Sequence, residues 1–288
     1  MKKNYRSIEF FIYLSLLPTF IISKPVNAFF PIINEPNQEE LISTSIQIGK
    51  TAIQLIKFGQ NNEAIKLLEL AVKLNPIEKD LWTTLAEAQI RSNKQSQALL
   101  SLNTAIKLYP KEESIYFRKA SLLMDMNNPK KAKVSIKKGL SIDKNNEKGY
   151  FQLGNVEIML GNYNSALVAF KKSSKINSKF WQSINNEGLA LYELNNLKEA
   201  ISKFKSALKI SNNAEPMLAL AIVLYSSKDT SLDSLKLAKN ALKENPEYVS
   251  QDYQKKQLWG KKLQRTAQDF FQTKEMKKVV KEAKQKIQ

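Results

Sequence analysis

The 288-residue chain has no cysteine and no histidine. Thiolate nucleophiles, imidazole general bases, disulfides and the ligand sets of structural zinc are therefore excluded. Proton transfer would fall to Asp, Glu, Lys and Tyr alone. The carboxylates are scattered without a pairing that the pattern singles out, and the eight glycines are spread one at a time, so no phosphate-cradling loop is present. The chain is expected to be no enzyme and to carry no metal, no cofactor and no small-molecule substrate. What it offers instead is side chains that hold another molecule, and the elements that present them follow from the spacing.

Ala64, Ala98, Ala132, Ala166 and Ala200 stand 34 residues apart without an insertion, and one further step reaches Ser234. Self-similarity at this period marks stacked two-helix units, each completing its apolar face against its neighbours. With the alanine at position 20, the units are 45–78, 79–112, 113–146, 147–180, 181–214 and 215–248. Position 8 is Ala52, Ala86, Ala120, Gly154, Gly188 and Ile222, mostly small because two helices approach closely there. Position 15 is Gly59, Asn93, Asn127, Gly161, Asn195 and Asp229, the types that best tolerate a left-handed backbone, which predicts a helix stop and a tight reversal. Positions 20, 24 and 27 fall on one helical face, as in Ala98, Leu102 and Ala105. Pro76, Pro110 and Pro246 at position 32 end their units, because proline cannot continue a helix. An all-α solenoid of about six units follows. Trp82, Phe170 and Phe204 read as core residues that touch no ligand.

Small at 8 and 20, large at 24, small at 27 and proline at 32 resembles the tetratricopeptide repeat over residues 45–248. The match is strongest at Trp82, Leu85, Ala86, Ala98, Leu102, Ala105 and Pro110, and at Tyr150, Leu153, Gly154, Ala166 and Phe170. Ile48, Thr51, Ile222, Ser234 and Ala238 depart from it in the first and sixth units, so the sixth is expected to be distorted. The resemblance implies a right-handed superhelix whose concave surface is lined by the first helix of each unit and binds a peptide segment or a partner domain. Groove positions 2, 5, 6, 9 and 12 then give Glu87, Phe117, Arg118, Phe151, Gln152, Asn155, Asn185, Asn186 and Tyr192. The amides would grip a peptide backbone and the phenylalanines would add apolar contact. The carboxylate clamp of chaperone-binding members is matched only by Arg118 among Gly49, Ile53, Thr84, Ser114 and Arg118, so capture of chaperone tails is not expected.

The ends add a compartment. Met1 to Arg6 is basic, Phe10 to Ile22 is largely apolar, and Val26-Asn27-Ala28 has the form of a small-residue cleavage site. Together they predict a signal peptide, 1–28, rather than a retained anchor. Residues 29–44 are expected to form an extended leader, although 38–43 could begin the first helix early. Residues 249–288 are expected to be a basic amphipathic capping helix and tail, with 11 basic and four acidic side chains from 251 onward. Gln257-Leu258-Trp259-Gly260 resembles the tails of exported repeat proteins of cyanobacteria, which implies the periplasm or the thylakoid lumen. The net charge of +18 would suggest nucleic acid in a cytosolic chain, but export removes that partner. An acidic protein or an anionic membrane takes its place. The expected function is thus an exported interaction scaffold that assists assembly of an envelope or membrane complex. The alternative is a platform docked on anionic lipid through its basic tail.

Overall fold

The structure is a computed structural model that describes residues 35–227 and 232–287. The expected signal segment, leader residues 29–34 and Asp229 lie outside the described residues. The chain divides into a short unit, Met1–Asn37, and a helical unit, Gln38–Gln288. Of the first, only 35–37 are described, and they form no regular element.

The helical unit is a run of helix pairs. They are α1 (Gln38–Lys57) with α2 (Asn61–Leu74), α3 (Lys79–Arg91) with α4 (Gln95–Leu108), α5 (Glu113–Asp125) with α6 (Pro129–Ile142), α7 (Glu147–Met159) with α8 (Tyr163–Ile176), α9 (Trp181–Glu193) with α10 (Leu197–Ile210), and α11 (Ala214–Ser226) with α12 (Leu232–Glu244). Each helix packs on its pair partner, and from α2 to α11 the second helix of one pair packs on the first helix of the next. A 3-10 turn, Pro246–Val249, then leads into α13 (Gln251–Lys256), α14 (Lys261–Phe271) and α15 (Lys274–Lys286). Two boundaries differ from the sequence reading. Residues 38–44 belong to α1, the early start that the sequence allows instead of an extended leader, and the capping helix and tail expected over 249–288 form a turn and three helices.

The reversal within each of the first five pairs has one geometry. Gly59, Asn93, Asn127, Gly161 and Asn195 all have positive φ, between 53° and 77°. The next residue's N–H reaches back five residues: Gln60 to Leu55 O, Lys94 to Gln89 O, Asn128 to Leu123 O, Asn162 to Glu157 O and Asn196 to Leu191 O, all at 2.8–2.9 Å. This is the Schellman arrangement, which satisfies carbonyls that a helix end leaves open. The second helices also end alike, with the capping N–H of Asn75, Tyr109, Asp143, Asn177 and Ser211 bonded to the position-27 carbonyl.

Packing between the two helices of a pair is a volume exchange between positions 8 and 24. Alanine at 8 meets leucine or isoleucine at 24 in the first three pairs: Ala52 with Leu68, Ala86 with Leu102, Ala120 with Ile136. Where 24 is phenylalanine, 8 is glycine. A Cβ on Gly188 would stand 2.7 Å from the Phe204 ring, and one on Gly154 would be closer still to Phe170. In the sixth unit the sizes are reversed, with Ile222 at 8 and Ala238 at 24, both fully buried in the same cluster. The substitutions that suggested distortion there are thus compensating. Each fully buried aliphatic or aromatic side chain stabilises by roughly 1.5–3 kcal/mol, and the core is a series of clusters to which every pair contributes.

The tail folds back on this core. Trp259, Leu263, Ala267, Phe270, Phe271, Met276 and Ala283 are buried and join the core of the last two units. Helix α14 packs on the first helices α11 and α9, while α15 packs on α12 and the 3-10 turn. Glu193, at the end of α9, accepts hydrogen bonds from Lys262 N (3.2 Å) and Leu263 N (2.9 Å), capping α14 from the far side of the fold. A Cβ on Gly260 would overlap the Glu193 side chain, so glycine is what lets this cap approach. The turn before it repeats the Schellman geometry, with Trp259 N bonded to Gln254 O at 3.0 Å and Leu258 at φ 63°. Leucine rather than glycine or asparagine in that conformation is strained by about 1–2 kcal/mol. Its side chain packs against the Phe151, Ile158 and Ala190 cluster, which holds it there. No helix among the described residues is long and apolar enough to cross a membrane.

Candidate partner-binding groove

Three hollows run along the first helices. One of about 230 Å³ is lined by Thr83, Glu87 and Ile90 of α3 and Arg118, Ser121 and Asp125 of α5. The next, about 470 Å³, shares Ser121 and Asp125 and adds Lys148, Phe151, Gln152, Asn155, Phe180 and Gln182. The third, about 650 Å³, shares Phe151, Asn155 and Gln182 and extends to Asn186, Glu215, Glu244, Tyr248, Tyr253 and Lys256. Because neighbouring hollows share walls, they form one trough from α3 to α11. Residues Tyr253, Lys256, Gln257 and Leu258 of the tail line its last section.

Six of the nine residues expected in the groove line this trough. Glu87 pairs with Arg91 at 2.7 Å and lies 3.9 Å from Arg118, which is more than half exposed. Gln152 donates to Ser121 at 2.8 Å and keeps its Oε1 buried without a hydrogen-bond partner. Asn155 accepts from Asn186 at 3.0 Å, so two adjacent first helices are tied by an amide pair on the trough floor. Phe151 packs against Phe180 and Phe170, with ring centroids 5.0 and 5.8 Å apart.

The other three are placed elsewhere. Phe117 turns away from the trough and fills the space left by Gly139 and Gly149, whose absent side chains would collide with its ring. Asn185 is fully buried, bonded to Asn186 and beside the Glu215 carboxyl, with its Oδ1 unpartnered. Tyr192 is 1% exposed; α14 covers it. Its hydroxyl bonds to Thr266 at 2.9 Å and the Lys262 ammonium sits 4.1 Å from its ring centre. Spacing in the repeat cannot foresee a helix that docks from 70 residues away.

The trough also contains carboxyl groups that the spacing does not single out. Burial raises Asp125 above the usual carboxylate range. Glu215 accepts from Trp259 Nε1 at 3.0 Å. The residue keeps some surface in the trough, but its carboxyl lies deep among α9, α11 and the tail. Desolvation there pushes it up to about 7, against the hydrogen bonds of Trp259 and Asn185 that favour the ionised form. Burial, with Glu215, Tyr253 and Glu244 nearby, also raises the Tyr248 hydroxyl.

Charge is segregated between the two sets of helices. The second helices α2, α4, α6, α8, α10 and α12 carry 18 lysines against five acidic residues, whereas the first helices α1, α3, α5, α7, α9 and α11 carry seven basic against 11 acidic residues. The basic surplus therefore belongs to the outer helices and the tail, and the trough takes the opposite sign. Exposed Leu100, Val134 and Val168, all at position 22 of their units, lie among those outer helices.

Stacked helix pairs whose first helices line a shared trough define a right-handed α-solenoid. Sequence models of the tetratricopeptide repeat match residues 55–118 and 113–146. Residues 55–146 are thus identified as tetratricopeptide repeats. Among solved structures the chain is similar to a tetratricopeptide repeat protein from Parabacteroides merdae ATCC 43184, at 18% identity, covering 84% of this chain and 99% of that one with a TM-score of 0.61. It is also similar to MamA, at 20% identity over 60% of this chain and 93% of that one, TM-score 0.54. A third is YrrB, described as a TPR protein with an unusual peptide-binding site, at 15% identity over 64% and 92% of the two chains, TM-score 0.51. At these identities the likeness is one of fold. Comparison with curated proteins yields no match.

Proposed function

We propose that the chain is a non-enzymatic interaction scaffold that holds an extended peptide segment, or a loop of a partner domain, in the trough. The continuity of the three hollows along α3 to α11 carries this reading, since an extended segment needs an uninterrupted bed. Half-buried Gln152 and Asn155, which line the trough, supply amide groups for a peptide backbone, and the peptide-binding site of YrrB is a precedent for such a role on this fold. The basic and apolar N-terminal pattern and the cleavage-like Val26-Asn27-Ala28 support action after export, in the periplasm or thylakoid lumen, in the assembly of an envelope or membrane complex. The alternative of docking on anionic lipid through the tail loses its apolar component. Met276 and Ala283 are in the core and Val279 and Val280 pack against it, which leaves Ile287 as the one exposed large apolar side chain among outward lysines and glutamates.

Photo-crosslinkers placed at Arg118, Gln152 and Asn155, with Val134 and Val168 as outer-face controls, test the reading. A shared protein partner joined only from the trough positions is expected. Adducts from the controls alone would overturn it. Edman sequencing of the mature protein should begin after Ala28.

A further inference from the structure

The trough meets the tail at its α11 end, where Tyr253, Lys256, Gln257 and Leu258 join its lining. We propose that this end is a cation-binding pocket, which receives a primary ammonium or guanidinium group carried by the segment lying in the trough. The inference rests on the trough holding such a segment, and it adds the chemistry of its end.

The acidic side chains of this end divide into two sets. Glu157 and Glu187 are satisfied from the outer helices, by Lys133 and Lys203, each at 2.6 Å. Glu193 is occupied by the backbone of α14. Glu215 and Glu244 remain: both line the pocket, and neither forms an ion pair among the described residues. Lys256 shares the wall without closing on either. Glu215 accepts one hydrogen bond from Trp259, and Glu244 one from Ala214 N at 3.2 Å, so each carboxyl has acceptor capacity left. Asn185, fully buried behind Glu215 and outside the pocket lining, donates toward that carboxyl and so supports its ionised form. Phe151, Trp181 and Tyr248 give the pocket aromatic walls, which favour a desolvated cation. A buried carboxyl costs free energy until a cation meets it, and a ligand cation supplies what the chain itself does not.

The test uses the full chain and four short probes: Lys-Gly-Gly amide, its N-acetyl form, Gly-Gly-Gly amide, and N-acetyl-norleucine-Gly-Gly amide. The indole N–H resonance of Trp259, bonded to Glu215, reports on the pocket. The charged probes should shift it in a saturable way and the norleucine probe should not. Binding retained by the acetylated lysine probe assigns the group to a side chain, and binding retained by triglycine assigns it to a chain terminus; either supports the pocket. Glu215→Gln still accepts from Trp259 and should weaken binding about tenfold or more. Lys256→Met removes a like charge and should strengthen it. Equal shifts from the norleucine probe, or indifference to Glu215→Gln, would overturn the proposal. Crosslinking from Arg118 and Asn155 that survives such a result would leave the trough reading standing and remove only the pocket.

Discussion

Replacing Gly154 by alanine should destabilise the chain, although alanine is the better helix former by about 1 kcal/mol. The added Cβ would lie against three ring atoms of Phe170, well inside the separation at which carbon atoms attract. Phe170 is fully buried and tilted against Phe151, so its ring has no free volume to enter. Overpacking of this kind costs about 1–3 kcal/mol, leaving a net loss of up to about 2 kcal/mol after the helical gain. Phe170→Leu alone opens a cavity at a cost of about 1–2 kcal/mol. The double variant rebuilds the alanine–leucine pair already present at Ala86 and Leu102, and should return to within about 0.5 kcal/mol of the parent. Urea unfolding followed by circular dichroism reads this as a recovered midpoint, with the slope checked because a repeat array need not unfold in one step. Additive losses in the double variant would show that positions 8 and 24 do not exchange volume and would refute the packing account.

Glu215 links stability to pH: its folded value of about 7 lies above the ordinary 4.5, so the unfolded chain ionises first and stability falls as pH rises between those values, by up to about 3 kcal/mol. Glu215→Gln should flatten that slope in thermal melts at pH 4.5 to 7.5, since the other groups around it, Glu244, Tyr248, Tyr253 and Lys256, are unchanged; an ammonium ligand should bind more tightly as pH rises through 7. Asn127→Ala should cost about 1 kcal/mol and Asn127→Gly almost nothing, because at this exposed position only the left-handed backbone is at issue; chemical denaturation separates them. Gly260→Ala should displace Glu193 from its cap, at about 1 kcal/mol, and speed hydrogen exchange at the Lys262 and Leu263 amides, with exchange in α3 and α5 unaffected.

What could be read from the sequence is what repeats. The units, the left-handed residue at position 15 and the proline stops depend on contacts within about 30 residues, and each occurs often enough to identify itself. The sixth unit looks irregular only when positions 8 and 24 are judged one at a time; read as a pair, Ile222 with Ala238 keeps the volume of the pairs before it. Register alone puts Phe117 in the groove. The signal for its true place is present in Gly139 and Gly149, two glycines whose missing side chains make room for one ring. Tyr192 and Asn185 leave the groove for a different reason. The tail that buries them docks through Leu258, Trp259 and Gly260, and nothing periodic connects those residues to α9. Their types are nevertheless unusual for a solvated tail: a tryptophan whose indole finds Glu215, and a glycine that a distant glutamate leans on.

A net charge of +18 suggests a chain that seeks anions, and for its outer surface that holds. The inner surface obeys a different constraint. Glutamates on α7 and α9 are buried between helices, where they must be paired, and the pairing lysines come from α6 and α10. Lysines elsewhere on the outer helices are free to stay in water, so their number can grow without desolvation cost. Glu215 and Glu244, beside the tail, form no ion pair with those outer lysines among the described residues; Glu244 stays exposed, while the Glu215 carboxyl is desolvated. Docking of the tail therefore does two things at once. It completes the hydrophobic core of the last two units, and it leaves a desolvated carboxyl beside an exposed one, a pair that a cationic guest can neutralise. Overall charge and the charge of the binding surface are thus opposite in sign, because one is set by solvent and the other by what the fold encloses.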